Sequence, residues 1–249
     1  MSRILYHLMK DYVPKDHTRQ ITPEYYLERL FKRENDLNKV MDLGCGAGDS
    51  IDYFRKKMPD IKWIGLDIEK SPAVAARTRT DGEFHTFDGV HIPFANDSFD
   101  LIYCYQVFEH VRYPAELLKE VYRVLRPHGY LVGSTSQLEP FHTYSFWNYT
   151  PYGFLQLVEE AGLRLVEIAP SIDALTLILR QGFGGPNFFS RWWRKESPLN
   201  RVINIIGKLA GKEQAWINAA KLVFCGQFCF WVCKPEAPSP HENSAAVKS

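Results

Sequence analysis

Residues 40–50 read Val40-Met41-Asp42-Leu43-Gly44-Cys45-Gly46-Ala47-Gly48-Asp49-Ser50. A short apolar run ends in glycines at alternate positions, and GAGDSIDYFRKK (46–57) then has helical character. This is a buried strand turning into a helix through a loop whose backbone can approach a ligand closely, since glycine carries no Cβ. A dinucleotide-binding loop, GxGxxG, would need its third glycine at position 49, where this chain has Asp49. Pyrophosphate favours an uncrowded helix N-terminus with no carboxylate beside it. Asp42 lies two residues before the first glycine and Asp49 directly after the last, so the loop suits a ligand that carries positive charge.

Downstream, the same alternation repeats. WIGLDI (63–68), FHTF (84–87), FDLIYCY (99–105), YLVGSTS (130–136) and LRLVEIAP (163–170) read as strands. SPAVAARTR (71–79), YPAELLKEVYRVLRP (113–127, stopped by Pro127) and TPYGFLQLVEEAGL (150–163, capped by Thr150) read as the helices between them. Upstream, Thr22-Pro23 opens a further helix. Strands alternating with helices predict a parallel sheet covered on both faces, with ligands at the carboxyl ends of the strands. Asp67 ends the second strand 23 positions after Gly44. There it can accept hydrogen bonds from both hydroxyls of a ribose, or simply cap the next helix. Asp88 follows the third strand, where it and the Gly89 amide could meet an adenine edge or close a turn. S-adenosylmethionine, with a sulfonium, an α-amino group and no phosphate, is a ligand of that kind.

VMDLGCGAGDS, IGLDI, FDGVHIPFANDSFDLIYCYQVFEHV and LKEVYRVLRPHGYLVGSTS resemble, in order and spacing, the motifs of class I S-adenosylmethionine-dependent methyltransferases. The nearest branch is the small-molecule "type 11" one. The resemblance covers roughly 38–170. It implies that Asp42 and Gly44 lie by the methionine part of the cofactor, that Gly46 and Gly48 shape the loop, and that Asp67 holds the ribose. It further implies Ile68 packed on adenine, Asp88 and Gly89 at its edge, and Tyr105 against the methionine portion. It also implies a doubly wound, Rossmann-like α/β fold of seven strands. The seventh is antiparallel and is matched here by LVFCGQFCFWVCK (222–234). In the family a short turn joins strands six and seven. Here about fifty residues intervene, which are expected to form a helical lid over 170–221. The expected organisation is one domain, 1–234, opening with a helical segment (1–37) and followed by a disordered tail (235–249).

Methyl transfer to a hydroxyl also requires loss of a proton, and a neutral histidine near its ordinary pKa is the natural base. His110, after strand four, and His142, after strand five, are the candidates; His110 reads equally as a packing residue at a helix start. Phe141, Tyr144, Phe146, Trp147 and Tyr149 form either a substrate wall or packing beneath the following helix. The place after strand four reads Tyr103-Cys104-Tyr105-Gln106 and lacks the Pro-Pro-aromatic motif of amino-directed nucleic-acid methyltransferases. The expected acceptor is a small molecule or glycan methylated on oxygen. The alternatives are nitrogen or carbon methylation of a lipid-linked or other small acceptor, and a non-catalytic cofactor-binding scaffold.

The 249 residues are 45% hydrophobic and 24% charged with net charge +1, which fits a folded protein and provides no global field for nucleic acid. That neutrality is a cancellation. Residues 170–221 hold eight Lys/Arg against three acids, or +5, leaving −4 for the remainder. The excess suits an acidic acceptor or transient contact of 183–195 with an anionic membrane. Cys45, Cys104, Cys225, Cys229 and Cys233 show no zinc-site spacing, so no metal is expected and they read as buried free thiols. Without a signal peptide or a membrane-length apolar run, the expected location is the cytoplasm, with peripheral association at the inner membrane face as an extension.

Overall fold

The computed structural model describes residues 3–34 and 36–236. Seven strands form one sheet in the order β3-β2-β1-β4-β5-β7-β6. They are β1 (Lys39–Leu43), β2 (Lys62–Ile68), β3 (Glu83–Phe87), β4 (Phe99–Tyr105), β5 (Leu125–Ser136), β6 (Arg164–Pro170) and β7 (Gln227–Cys233). The first five pair in parallel; β7 runs antiparallel between β5 and β6. The sequence-based fold class is therefore correct, including the antiparallel last strand. Strand order reverses between β1 and β4, which puts the ligand-binding crevice at their carboxyl ends.

Both faces are buried, and the pleat sorts side chains between two cores. Met41, Ile102, Cys104, Phe228 and Phe230 join one core with α5 (Pro114–Val124) and α6 (Pro151–Glu160). Val40, Leu101, Tyr103, Cys229 and Trp231 join the other with α2 (Pro23–Phe31) and α3 (Ser50–Lys57). All five cysteines are buried and free.

Several boundaries move. The helix expected over 113–127 ends at Val124, and β5 begins at Leu125, running past Pro127 to pair with β4. The helix expected over 71–79 shortens to α4 (Pro72–Ala75). Thr22 sits at the N-cap of α2, but its hydroxyl makes no capping bond, whereas Thr150 accepts from the Gly153 amide at 3.0 Å. The apolar run 222–234 is not one strand: Leu222, Val223 and Phe224 complete a helix before β7 begins. Residues 235 and 236 carry no secondary structure, and the rest of the expected tail lies outside the described residues.

Between β6 and β7 lie α7 (Ala174–Gly182), a 3-10 run over Asn187–Trp193, α8 (Pro198–Leu209) and α9 (Gln214–Phe224). Pro170 pairs with Phe228, and Ser136 with Gln227. The insertion thus leaves and re-enters the sheet at the carboxyl edge of the parallel strands. N-terminal residues 14–21 bind it down. Asn218 Nδ2 donates to the carbonyls of Pro14 and His17, and the Gln20 side chain bonds Trp192, Ser197 and Asn200. Fully buried Lys221 pairs with Glu196 and donates to the Thr18 carbonyl. No helix among the described residues is long and apolar enough to cross a membrane.

Candidate active site

The loop after β1 turns through three left-handed glycines: Gly44 (φ +72°), Gly46 (+49°) and Gly48 (+86°). Gly44 is required twice over. Its φ disfavours any side chain, and a Cβ there would lie 2.3 Å from Val107 Cγ2. Its amide donates to the Leu66 carbonyl at 2.7 Å, tying the loop to the end of β2.

Asp67 completes this tie. Its Oδ2 accepts from the Gly46 amide at 2.7 Å and its Oδ1 from the Ile68 amide at 2.7 Å. The carboxylate is half-buried and its remaining lone pairs are open to a ligand. Ile68 beside it is 40% exposed. Asp42 is buried and accepts from Ser50 Oγ at 2.5 Å, while Ser50 in turn accepts from Trp63 Nε1 at 2.9 Å. Burial pushes Asp42 up to about 7, against the lowering effect of Ser50 and with help from the nearby Asp67 and Asp49 charges.

Asp88 is more committed. Its Oδ1 accepts from the Val90 and His91 amides at 2.9 and 2.7 Å, and its Oδ2 lies 2.6 Å from His91 Nδ1. Those bonds, the His91 side chain first, hold it down at about 2. This is the turn-closing role, and it makes His91 the partner of Asp88. Gly89 (φ +93°) brings that turn close to Ile68. Tyr105, at the end of β4, is 41% exposed and stacks on Tyr103 with centroids 6.4 Å apart.

Two arginines went unnoticed in the sequence. Arg77 donates to the Gly46 carbonyl through Nε (2.9 Å) and Nη2 (2.6 Å) and lies over the Phe84 ring; Arg79 reaches the Gly48 carbonyl at 3.3 Å and pairs with Asp52 and Asp81. They hold the outward-turned carbonyls of the glycine loop. The segment reads as an amphipathic helix, so its early end, which frees these side chains, left no local signal.

The loops after β4 and β5 meet at the same edge of the sheet. Glu109, fully buried, accepts from Thr135 Oγ1 at 2.8 Å and more weakly from Ser136 Oγ at 3.5 Å. Its carbonyl accepts from the amides of Phe146 and Trp147, which fixes the second loop to the first. Burial pushes the Glu109 carboxyl up to about 7. His110 and His142 meet edge to face, with centroids 5.2 Å apart. His110 Nδ1 is buried without a hydrogen-bond partner, and burial, followed by the neighbouring His142, lowers the His110 pKa. His142 Nδ1 lies 3.2 Å from the Pro140 carbonyl, which can only accept, so Nδ1 donates and a neutral ring would carry its lone pair on Nε2. Thr143 (φ +28°) and Tyr144 (φ +59°) make the tight left-handed turn that follows, a strain of about 1–3 kcal/mol each that clusters at functional sites. Phe141, Tyr144, Phe146 and Trp147 are exposed around it, whereas Tyr149 is buried and donates to the Phe108 carbonyl at 2.9 Å. Glu109, His110 and His142 each offer one ligand atom within 4.8 Å of the others, the one such trio among the described residues.

A family model described as a methyltransferase domain matches residues 41–133, from β1 through β5. That stretch of the chain is thus similar to a methyltransferase domain. Among proteins similar to this chain, the methyltransferase GfsG of Streptomyces halstedii is 31% identical over 167 residues, covering 58% of this chain and 60% of that protein. The ubiquinone/menaquinone biosynthesis C-methyltransferase UbiE of Dinoroseobacter shibae is 32% identical over 101 residues, 38% of this chain and 40% of the relative. The chain thus spans 60% or less of the curated relatives it matches. A phosphoethanolamine N-methyltransferase 2 of Haemonchus contortus, solved with S-adenosylhomocysteine, shares the fold at 13% identity. Its TM-score is 0.53 over 86% of this chain and 53% of that one.

The cofactor of the family is S-adenosylmethionine. The donor set of this chain fits it. A carboxylate ends each of β1 and β2, a cation-bearing ligand is preferred over phosphate, and the glycine cradle has no space for a Cβ at Gly44.

Proposed function

We propose that this protein transfers a methyl group from S-adenosylmethionine to an oxygen of a small molecule or glycan. The observation that carries the reading is the convergence at one sheet edge of the Asp42–Gly44–Asp67 cradle and the His110–His142 pair. When bound, the cofactor supplies an electrophilic methyl group on a sulfonium. Asp42 would face its ammonium, Asp67 the ribose hydroxyls and Gly89 the adenine, with Ile68 and Tyr105 as apolar walls. Asp88, already bonded to His91, shapes the adenine turn more than it reads the ligand.

Displacement at a methyl carbon needs near-linear alignment, so catalysis is mostly positioning. His142 Nε2 and His110 are the groups that would take the acceptor proton. Desolvation lowers the His110 pKa and so favours its neutral form, and the Pro140 carbonyl accepts from His142 Nδ1. Hydrogen bonds from Thr135 and Ser136 already occupy the Glu109 carboxylate, which weighs against metal ligation by this trio. The test is mass spectrometry of a fractionated cell extract incubated with isotope-labelled S-adenosylmethionine. The expected outcome is one labelled methyl per product on a hydroxyl-derived oxygen. A labelled C–CH3 or N–CH3 would replace the oxygen reading, and cofactor binding without any product would favour a scaffold.

A further inference from the structure

Helices α7 and α8, which contact each other, each expose an apolar stripe. On α7 it is Leu175, Ile178 and Leu179, continued by Phe183 just past its end; on α8 it is Val202, Ile205, Ile206 and Leu209. Spacings of three and four residues place each set on one helical face. The exposure is large: 57% for Ile205, 59% for Ile206 and 84% for Leu209. An apolar helix face of this kind normally has an occupant.

The charge around the stripes is one-sided. Arg191, Arg194, Lys195, Arg201, Lys208 and Lys212 are exposed in the insertion. Its acids offset little: Asp173 is buried as the N-cap of α7 and Glu196 pairs with Lys221, leaving Glu213 exposed. Arg201 and Lys208 flank one edge of the α8 stripe. With Arg19 and Lys212 they line a groove of about 770 Å³. On the other side, Ala174, Ile178 and Gln181 of α7 face Leu138, Glu139 and Pro140 across an apolar cleft of about 590 Å³. Glu139, which lines this cleft, places its Oε1 4.0 Å from His142 Nδ1, so the cleft lies beside the histidine pair.

We propose that the α7–α8 face docks on an anionic lipid bilayer, and that the methyl acceptor is an amphiphile delivered from it through the cleft beside Ile178. The second half rests on the methyltransferase reading above. Apolar stripes would enter the acyl boundary while Arg201, Lys208, Lys212 and Arg19 meet lipid phosphates. A second copy of the chain is the poorer occupant, because a two-fold interface through α8 would oppose Arg201 and Lys208 to their own like charges. The surface is also wider than residues 183–195. In that segment Trp192 lies under Arg191 and Arg201, and Trp193 under Arg180.

The test is co-flotation of the full chain with phosphatidylcholine vesicles, with and without phosphatidylglycerol. The wild type is expected to float with the anionic vesicles, less so as salt rises. Ile205→Asp/Leu209→Asp and, separately, Arg201→Glu/Lys208→Glu are each expected to lower partitioning by about tenfold or more. Calorimetric S-adenosylhomocysteine binding should be unchanged in both and reports an intact fold. Wild type that stays in solution, equal flotation of the variants, or a wild-type dimer made monomeric by Ile205→Asp/Leu209→Asp would overturn the docking. For the acceptor, radiolabelled S-adenosylmethionine is offered to a total lipid extract and to the aqueous metabolites. Label in the lipid phase supports the proposal and label confined to water-soluble product overturns it. Absence of label from both sinks the methyltransferase reading and the amphiphile with it, while leaving the flotation result standing.

Discussion

The imidazoles of His110 and His142 meet edge to face with centroids 5.2 Å apart, although 31 residues and a whole strand–helix unit separate them in sequence. Their junction is made by the Glu109 carbonyl, which holds the second loop through Phe146 and Trp147. If this pair removes the acceptor proton, His142→Ala and His110→Ala should each lower kcat by about 10²–10⁴-fold and leave S-adenosylhomocysteine affinity unchanged. Steady-state kinetics with calorimetry checks both. Unchanged kcat/KM in one variant removes that residue, and in both it removes the mechanism.

Glu109 predicts a pH dependence of stability with a definite sign. Its carboxyl is raised from 4.5 to about 7 by burial, so the native state holds the proton more tightly than the unfolded chain. The contribution is therefore fully present below pH 4.5 and is lost as pH rises to about 7. Glu109→Gln cannot titrate. The stability of wild type relative to Glu109→Gln should fall by about 3 kcal/mol between those limits, measured by urea denaturation across the range. A pH-independent difference would show that Glu109 is not held in this state.

The glycine loop, the carboxylates at the ends of β1 and β2 and the strand alternation were legible because they are local. Each is a motif a few residues long with its own backbone demand. Asp88 follows β3, as its place in the sequence indicates, but its bond to His91 depends on rotamers that no spacing reveals. Arg77 and Arg79 were missed for a related reason: their role depends on α4 ending at Ala75. The run 222–234 misled because apolar content does not distinguish a buried helix from a buried strand, and Phe224 closes the helix before β7 begins. The paired histidines and the bared face of α8 are tertiary facts with no local signature.

Dialysis against EDTA is expected to leave activity intact. Glu109, His110 and His142 come within 4.8 Å of one another, but Glu109 already accepts from Thr135 and is half-protonated near neutrality. Metal analysis of the purified protein before and after dialysis accompanies the assay. Activity lost with EDTA and restored by a divalent cation would turn the trio into a metal centre.

Cofactor affinity should depend on Asp42 and Asp67 in different ways. Asp67→Asn keeps an acceptor for the Gly46 amide but loses the charge; Asp67→Ala loses both, and should weaken S-adenosylhomocysteine binding by about 1.5–3 kcal/mol. Asp42 titrates near 7 in the free protein, and only its ionised form pairs with an ammonium. Affinity should therefore rise as pH increases through about 7, and Asp42→Asn should flatten that rise. Calorimetry at several pH values decides it; a wild-type profile as flat as that of the variant would remove Asp42 from the site.

Lys221 is fully buried on α9, paired with Glu196 from the insertion and bonded to the Thr18 carbonyl. Burial lowers its pKa while Glu196 opposes the change. A buried pair is costly to break from one side, because the surviving charge stays desolvated, yet replacing both partners by apolar groups of similar volume is often neutral. Glu196→Gln should thus destabilise the protein by about 3–5 kcal/mol, and Glu196→Leu/Lys221→Met should recover most of that loss. Denaturant midpoints measure the stability, and limited proteolysis of residues 14–21 reports whether that segment stays anchored. If the double variant is as unstable as Glu196→Gln and its 14–21 segment is cut as readily, the bond from Lys221 to Thr18, and not relief of the buried charge, is what holds the insertion to the N-terminal segment.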